Sequence, residues 1–181
     1  MIKEDVRAII FDFGGIFINL DYTATIESFK QLGITNFADL YSQAQQSNLF
    51  DNYETGKISS QRFINGLLDF LPSNTTPNQI VAAWNAMLLD IDPVKINLLE
   101  ELRKSYPVYL LSNTNALHID VAFRRWKNTI GQPIHESFDK IYLSLSLFIS
   151  SVLKLLSLNL HHSYVNLQRK STLFPCRSMN G

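Results

Sequence analysis

The sequence predicts an α/β fold, with a doubly wound parallel sheet and an inserted all-helical cap. Short apolar runs rich in β-branched residues alternate with stretches whose apolar positions recur at helical spacing, which is typical of parallel strands connected by helices. Two of these runs end abruptly in polar or glycine-rich loops. Between them lie about seventy residues with helical patterns alone, as expected for a helical insert.

The chain opens with a buried strand and continues into the insert. Val6 to Phe11 is the first apolar run, and the loop Asp12 to Gly15 follows it. Asp21 can cap a helix that Gly33 can end, because a short acidic side chain accepts hydrogen bonds from first-turn amides and glycine adopts the left-handed conformation that closes a helix. Further helices are predicted over 37–44, 60–71 and 78–89, the last after the start signal Thr76-Pro77.

The second half of the chain returns to alternating helices and strands. Asp92-Pro93 predicts the start of a helix that runs through Lys104, and Val108 to Leu111 predicts the second strand. The polar loop Ser112 to Asn115, a helix over 116–127 and a third strand over 138–144 complete the pattern. We therefore expect a core made of residues 1–17 and 90–144, and a cap made of residues 18–89.

The acidic residues are unevenly distributed, although the formal net charge of the chain is +0. This balance argues against nucleic acid or an anionic membrane as a partner, since both attract a positive surplus. No Asp or Glu follows Asp139, and the stretch 145–181 is rich in Leu and Ser. We treat 145–181 as an atypical tail of uncertain fold. One hypothesis is that a frameshift near residue 145 replaced the expected ending.

The single cysteine, Cys176, excludes an internal disulfide and suits a reducing compartment, where such a thiol is usually inert. Met1 to Arg7 carry mixed charges and precede an apolar run too short for a signal peptide. The expected location is therefore the cytoplasm. The sequence pattern predicts no particular oligomeric state.

Two polar loops carry the predicted chemistry. Ligands of open parallel sheets bind where loops leave the carboxyl ends of the strands, so these loops should lie side by side. Asp12 offers a carboxylate, and Gly14 and Gly15 allow their backbone N–H groups to approach an anion closely. Ser112 and Asn113 offer a hydroxyl and amides beside a helix start that favours negative charge. A carboxylate facing phosphate donors indicates nucleophilic catalysis with a metal, whereas capping a turn is the alternative role of such an aspartate.

Three segments resemble motifs of the haloacid dehalogenase (HAD) superfamily of hydrolases, in the same order along the chain. They are Ile9-Ile10-Phe11-Asp12-Phe13-Gly14-Gly15-Ile16, Tyr53-Glu54-Thr55-Gly56-Lys57-Ile58-Ser59 and Tyr109-Leu110-Leu111-Ser112-Asn113-Thr114-Asn115. The first and third are similar to the first two motifs of the superfamily. The second is similar to the helical cap of glucose-1-phosphatase-like and haloacid-dehalogenase-like members. The resemblance covers about residues 5–144 and implies a Rossmann-like core.

The resemblance implies a magnesium-dependent phosphatase that acts on a small phosphorylated metabolite through an aspartyl-phosphate. In the family pattern, Asp12 is the nucleophile, and Asp12 together with the carbonyl of Gly14 binds Mg²⁺. Gly14, Gly15, Ser112 and Asn113 would hold the phosphate.

Departures from the family pattern affect the metal site and the acid–base chemistry. Gly14 stands where the family's phosphatases usually have a second aspartate that acts as general acid and base. Lys154 is the only lysine near the place of the family's third motif, and no acid follows Asp139 to complete a metal site. We therefore expect Mg²⁺ to bind weakly or not at all in this chain. Two alternatives stay open: a catalytically impaired or non-catalytic relative that binds a ligand or partner, and a hydrolase of the haloacid dehalogenase type.

Other patterns are weaker. His161-His162 could bind a metal but lacks a third ligand, and the run Leu143 to Leu160 approaches the length of a membrane span but contains Lys154. We expect neither a metal at the histidines nor a membrane-spanning segment. Three aromatic residues of the insert could line a substrate pocket, although packing inside the cap is their expected role: Phe50, Tyr53 and Trp84.

Overall fold

A computed structural model of the 181-residue chain describes residues 6–34, 36–37, 40 and 48–144. Several predictions fall outside these described residues. They concern most of the helix over 37–44, the tail 145–181, Lys154, His161-His162, Cys176 and the part of the apolar run 143–160 that follows Ser144.

The first two described strands are followed by a succession of helices, and strands and helices alternate from Leu88 onward. The strands are β1 (Ile9–Phe11), β2 (Ile18–Leu20), β3 (Leu88–Ile91), β4 (Val108–Asn113) and β5 (Lys140–Ser144). The helices are α1 (Tyr22–Gln31), α2 (Leu49–Glu54), α3 (Ser60–Leu68), α4 (Pro77–Asn85), α5 (Pro93–Arg103) and α6 (Ala116–Ile130). A 3₁₀ turn covers Ile134–Glu136.

The main sheet is parallel and has the strand order β1-β4-β5 in the part of the chain that the structure describes. Phe11 lies opposite Leu110 in the first strand pair, and Ser112 lies opposite Leu143 in the second. The carboxyl ends of the three strands therefore meet at one edge of the sheet. The predicted α/β fold, with a parallel sheet and flanking helices, is confirmed.

A second sheet, formed by β2 and β3, is antiparallel and stands at the two ends of the helical insert. Ile18 lies opposite Ile91, and Leu20 lies opposite Leu88. The helix predicted over 78–89 ends at Asn85 instead. Leu88–Ile91 forms a strand because β2, distant in sequence, supplies its pairing partner.

The predicted second strand is also longer than expected. β4 continues through Ser112 and Asn113, which the sequence pattern assigned to a loop, because β5 pairs with it along its whole carboxyl half. The third strand begins at Lys140, two residues later than predicted, after the 3₁₀ turn and a short connection. Ser112 and Asn113 thus form the end of a strand and are not part of a loop.

The predicted helix signals agree with the observed helix ends. The side chains of Asp21, Thr76 and Asp92 each accept a hydrogen bond from a backbone N–H of the following first turn. Gln79 completes a capping box with Thr76. Gly33 has φ 100°, the left-handed conformation in which a helix commonly ends.

Two hydrophobic clusters of buried residues form the inside of the molecule. The core cluster surrounds the parallel sheet and contains Phe17 and Trp126, both almost completely buried. The cap cluster contains the aromatic residues Phe50, Tyr53, Phe63 and Trp84, whose rings contact one another. The expected packing role of Phe50, Tyr53 and Trp84 inside the cap is confirmed.

Helix α6 contacts both clusters. Ala122 and Trp126 on this helix belong to the core cluster, whereas Leu117 in its first turn packs against the cap cluster. Arg125, on the same helix, donates hydrogen bonds to the carbonyls of Leu88 and Leu89 in β3. Helix α6 therefore packs against both the core cluster and the cap cluster. The domain boundaries 1–17, 18–89 and 90–144 stay a prediction.

Candidate active site

Asp12 directly follows β1 and begins a tight turn that leads to β2. The backbone N–H of Phe13 donates to Asp12 Oδ1 at 2.6 Å. The N–H groups of Phe17 and Ile18 donate to the Phe13 carbonyl at 3.0 and 3.3 Å, which closes the turn. Gly15 has φ 72°, a conformation that residues with a Cβ rarely adopt. The turn therefore holds the Asp12 carboxylate at the end of the strand, exposed to solvent.

The environment of Asp12 raises the pKa of its carboxyl above the ordinary value of 3.8. Partial removal of water by the surrounding protein is the main cause, and hydrogen bonds from the backbone N–H groups of Phe13 and Gly14 act in the opposite direction. Because the side chain also reaches solvent, this desolvation is incomplete. A carboxylate with a perturbed pKa and one accessible side is a candidate functional group.

The backbone N–H groups of both glycines after Asp12 already have acceptors within the turn, and that of Gly14 donates to the Asp12 carboxylate. The N–H of Gly15 donates to the Ile18 carbonyl at 2.8 Å, so the phosphate contact predicted for Gly15 would require a donor that the turn already uses. The hydrogen bonds that close the turn end on the carbonyls of Phe13 and Ile18. A Cβ added to Gly14 would lie 3.2 Å from Cδ1 of Leu20, so a side chain at that position would be crowded.

The oxygen atoms at this turn fit part of a magnesium site. Mg²⁺ is usually bound by one or two carboxylates, substrate phosphate oxygens and several waters. The exposed carboxylate of Asp12 and the carbonyl of Gly14 can supply two such oxygens, with the other positions left to phosphate and water. Within the described residues, no group of three His, Cys, Asp or Glu side chains could hold a metal ion.

Ser112 and Asn113 end β4, the strand beside β1. Because Phe11 lies opposite Leu110, Asp12 leaves the sheet next to the carboxyl end of β4, and neighbouring strands are about 4.8 Å apart. Ser112 is buried and Asn113 is exposed. The strand ends that carry Asp12 and Ser112 are therefore neighbours at one edge of the sheet, as the parallel fold predicts.

Two residues separate the end of β4 from the start of α6, and protein acceptors hold the first turn of this helix. Asn115 is the N-cap, and its Oδ1 accepts hydrogen bonds from the N–H of His118 at 3.1 Å and from Trp84 Nε1 at 3.4 Å. The hydroxyl of Tyr53 accepts a hydrogen bond from the N–H of Leu117 at 3.1 Å. Tyr53 and Trp84 are cap residues, so the cap contacts the helix start beside the candidate site.

His118 joins the same region through its ring. Its Nδ1 lies 2.9 Å from Asn85 Oδ1, and the ring stacks on Trp84 with centroids 5.3 Å apart. Asn85 Nδ2 donates to the Val81 carbonyl at 2.9 Å, so Asn85 Oδ1 is the atom that accepts from His118. The His118 ring therefore carries its hydrogen on Nδ1. Burial lowers the pKa of His118 to about 4, so the ring is neutral at pH 7.

The sequence pattern places Asn115 in the polar loop without marking it as a helix cap, and it does not point to Asn85 or His118. The cap position of Asn115 could have been read from the sequence, because Asn is favoured immediately before a helix. Asn85 and His118 could not have been paired in this way, since they are separated by 33 positions and neither belongs to a recognisable motif.

Comparisons with known proteins place these observations in a family. No protein-family model matches the chain. The chain is 32% identical over 142 residues to the D-ribitol-5-phosphate phosphatase of Bacteroides thetaiotaomicron, and the match covers 78% of this chain and 69% of that relative.

Solved structures agree with the sequence match. A HAD family enzyme from Bacteroides thetaiotaomicron has a TM-score of 0.77 at 30% identity, with 88% of this chain and 81% of that chain covered. The wild-type form of that enzyme in complex with magnesium and inorganic phosphate has a TM-score of 0.75 at 32% identity, with 85% and 78% covered. A predicted HAD-like family hydrolase from Porphyromonas gingivalis has a TM-score of 0.71 at 26% identity, with 88% and 78% covered.

The chain belongs to the HAD superfamily of hydrolases. The superfamily and hydrolase class predicted from the motifs are confirmed, and the phosphatase activity and magnesium predicted with them agree with the relatives. None of the helices in the described ranges combines the length and apolar character needed to cross a membrane. The cytoplasmic location stays a prediction.

Proposed function

We propose that this chain is a magnesium-dependent phosphatase that hydrolyses a phosphorylated sugar or sugar alcohol. One observation carries the proposal: the exposed carboxylate of Asp12 and the hydroxyl of Ser112 stand at the ends of neighbouring parallel strands. Phosphoryl transfer to an aspartate needs a nucleophilic carboxylate beside donors for the phosphoryl oxygens. The substrate class follows from the relative, which is a D-ribitol-5-phosphate phosphatase.

The proposed reaction has two steps. An oxygen of Asp12 first attacks phosphorus, the bond between phosphorus and the ester oxygen breaks, and the alcohol leaves after it gains a proton. Water then attacks the phosphorus of the aspartyl-phosphate, which releases inorganic phosphate and the free carboxylate. Ser112 and the exposed amide side chain of Asn113 would hold the phosphoryl oxygens. Mg²⁺ bound to Asp12 and the Gly14 carbonyl would offset the negative charge of the carboxylate and the phosphate.

The proton for the leaving group is proposed to come from water, because Gly14 has no side chain to supply it. Without a general acid, an alcohol leaving group departs slowly, and general acid catalysis is typically worth about 10²–10⁴ in rate. We therefore expect p-nitrophenyl phosphate, whose leaving group needs no proton, to be cleaved much faster than D-ribitol 5-phosphate.

Release of inorganic phosphate from these two esters tests the proposal directly. In the presence of Mg²⁺, the wild-type chain should release phosphate and Asp12→Asn should not, because an amide is a poor nucleophile. Asp69→Asn makes the same chemical change at an exposed position in the cap and should leave the rate unchanged. Equal rates in wild type and Asp12→Asn would reject Asp12 as the nucleophile.

A second candidate function is phosphate binding without turnover. It is favoured by the lack of a group of three acidic or histidine ligands among the described residues, since a weak metal site impairs chemistry before it removes a pocket. Calorimetric titration of inorganic phosphate, combined with the release assay above, distinguishes the two candidates. Binding without release of phosphate from either ester would support the non-catalytic role.

A further inference from the structure

Two buried side chains of the cap reach across to the start of helix α6. Tyr53 is 3% exposed and Trp84 is 8% exposed, and both belong to the cap cluster. Their polar atoms contact Leu117 and Asn115, which lie three to five residues after Ser112. The cap is therefore connected, through one buried and one partly buried hydrogen bond, to the segment that follows the candidate phosphate site.

The hydrogen bonds of this first turn determine which donors a phosphate can use. The first N–H groups of a helix have no partner inside the helix and are available to anions unless the protein supplies acceptors. Here the Leu117 N–H donates to the Tyr53 hydroxyl and the His118 N–H donates to Asn115 Oδ1. A phosphate at this edge of the sheet is left with the Ser112 hydroxyl and donors that precede Leu117. Their positions depend on how firmly the start of α6 is held.

Trp84 contributes two contacts at the same place. Its Nε1 donates to the Oδ1 of Asn115, the N-cap of α6, and its ring stacks on His118. Asn85, the next residue in the cap, forms the hydrogen bond with His118 Nδ1. The side chain of Leu117 also packs against the cap cluster. Cap residues therefore contact Asn115, Leu117 and His118.

We propose, on the basis of the function proposed above, that Tyr53 and Trp84 are positioning residues that hold the start of α6 in the geometry required for phosphate binding. Neither residue needs to touch the substrate for this role. Small displacements of a binding group reduce its effect strongly, because hydrogen bonds to a phosphoryl oxygen require donors within narrow limits of distance and angle. Loosening the cap contact should therefore weaken phosphate binding without unfolding the protein.

Tyr53→Phe is the variant that separates this role from packing. It removes only the hydroxyl and keeps the ring, which stacks on Phe63 with centroids 4.2 Å apart. Tyr22→Phe makes the same change at the start of α1, also in the cap, where Tyr22 is 43% exposed. Trp84→Phe serves as a second variant, because it removes the Nε1 donor and keeps an aromatic ring.

Two measurements are made on each full-length variant: hydrogen exchange of the Leu117 amide, and the affinity for inorganic phosphate in the presence of Mg²⁺. Tyr53→Phe loses the hydrogen bond to the Leu117 N–H and also a hydrogen bond of 3.0 Å to Ser60 Oγ, which lies within the cap. From the loss of the first we expect Leu117 exchange to accelerate about tenfold and phosphate affinity to fall about fivefold. Trp84→Phe should lower phosphate affinity about twofold, since its hydrogen bond of 3.4 Å is long. Tyr22→Phe should change neither quantity.

The outcomes separate this inference from the function on which it rests. If wild type binds phosphate and Tyr53→Phe binds it equally well, the positioning role is overturned and the proposed function is unaffected. If Tyr53→Phe lowers the thermal stability but not the phosphate affinity, Tyr53 is structural only. If wild type binds no phosphate, the proposed function fails and the positioning role fails with it, whatever the exchange rate of Leu117.

Discussion

The two tryptophans of the chain lie in different halves of the molecule and use their indole N–H groups differently. Trp126 is fully buried in the core cluster beside Phe13 and Phe17, and its Nε1 is a buried donor that has no hydrogen-bond partner among the residues that the structure describes. Trp84 is nearly as buried in the cap cluster, yet its Nε1 donates to Asn115 across the boundary between the halves. Burial alone therefore does not define the role of an aromatic residue. The core tryptophan fills space behind the Asp12 turn, whereas the cap tryptophan also connects two regions.

The largest expected effect is that of removing the core tryptophan. Trp126→Ala deletes a fully buried ring that contacts Phe13, Phe17 and Phe138, and should lower the free energy of unfolding by about 3–5 kcal/mol. Urea unfolding followed by circular dichroism measures this change. Trp126→Phe is the matched control and should cost much less, because it keeps a ring and removes the unpaired donor. Equal losses for the two variants would show that the indole N–H has a partner that matters.

The second effect concerns pH and the contact between the cap and α6. The folded-state pKa of His118, about 4, lies below the ordinary 6.5, so the unfolded chain binds this proton first as the pH falls. The neutral His118 ring adds its full contribution to the free energy of unfolding above pH 6.5. This contribution, up to about 3 kcal/mol at 1.36 kcal/mol for each pKa unit, is lost as the pH falls from 6.5 to 4. Urea unfolding at several pH values measures the slope. His118→Asn should be less stable than wild type at pH 7 and should show a flatter profile, and an unchanged slope would contradict the assignment.

The third effect compares two N-cap residues, Thr76 of helix α4 and Asn115 of helix α6. Thr76 and Asn115 both accept a hydrogen bond from a first-turn N–H, but Asn115 is 4% exposed and also accepts from Trp84. Thr76→Ala should cost about 1 kcal/mol, as is typical of an exposed N-cap. Asn115→Ala should cost about 2 kcal/mol, because it leaves a buried indole donor unsatisfied as well. Thermal unfolding of the two variants provides the comparison, and a larger loss for Thr76→Ala would contradict it.

The sequence predicted those parts of the fold that depend on local signals. The caps at Asp21, Thr76 and Asp92 were readable because each side chain bonds within its own first turn. The strand β3 was not readable, since neither glycine nor proline separates its four residues from the preceding helix and only pairing with the distant β2 makes them extended. Apolar residues at the end of a helical pattern fit either structure, and the tertiary partner decides between them.

The candidate site also contains residues that the sequence predicted and contacts that it did not. Asp12 and Ser112 were found because each directly follows an apolar run, and parallel strands bring their carboxyl ends together. The contact of Tyr53 with Leu117 was not predictable, because it joins positions 64 residues apart and uses a backbone N–H that no motif marks. The predicted use of the Gly15 amide for phosphate also omitted a local competitor, the carbonyl of Ile18.

The insertion of the cap between β1 and β4 has a consequence for the order in which the protein folds. Ile9 pairs with Val108, so this strand pair closes a loop of about 100 residues, and loop closure over such a length is slow. The helices of the cap lie within that loop and make contacts that are closer in sequence. A cap that collapses first shortens the loop that remains to be closed. During synthesis, the segment that carries Asp12 emerges before β4, so Asp12 reaches its final position beside β4 only after the whole insert between the two strands has been made.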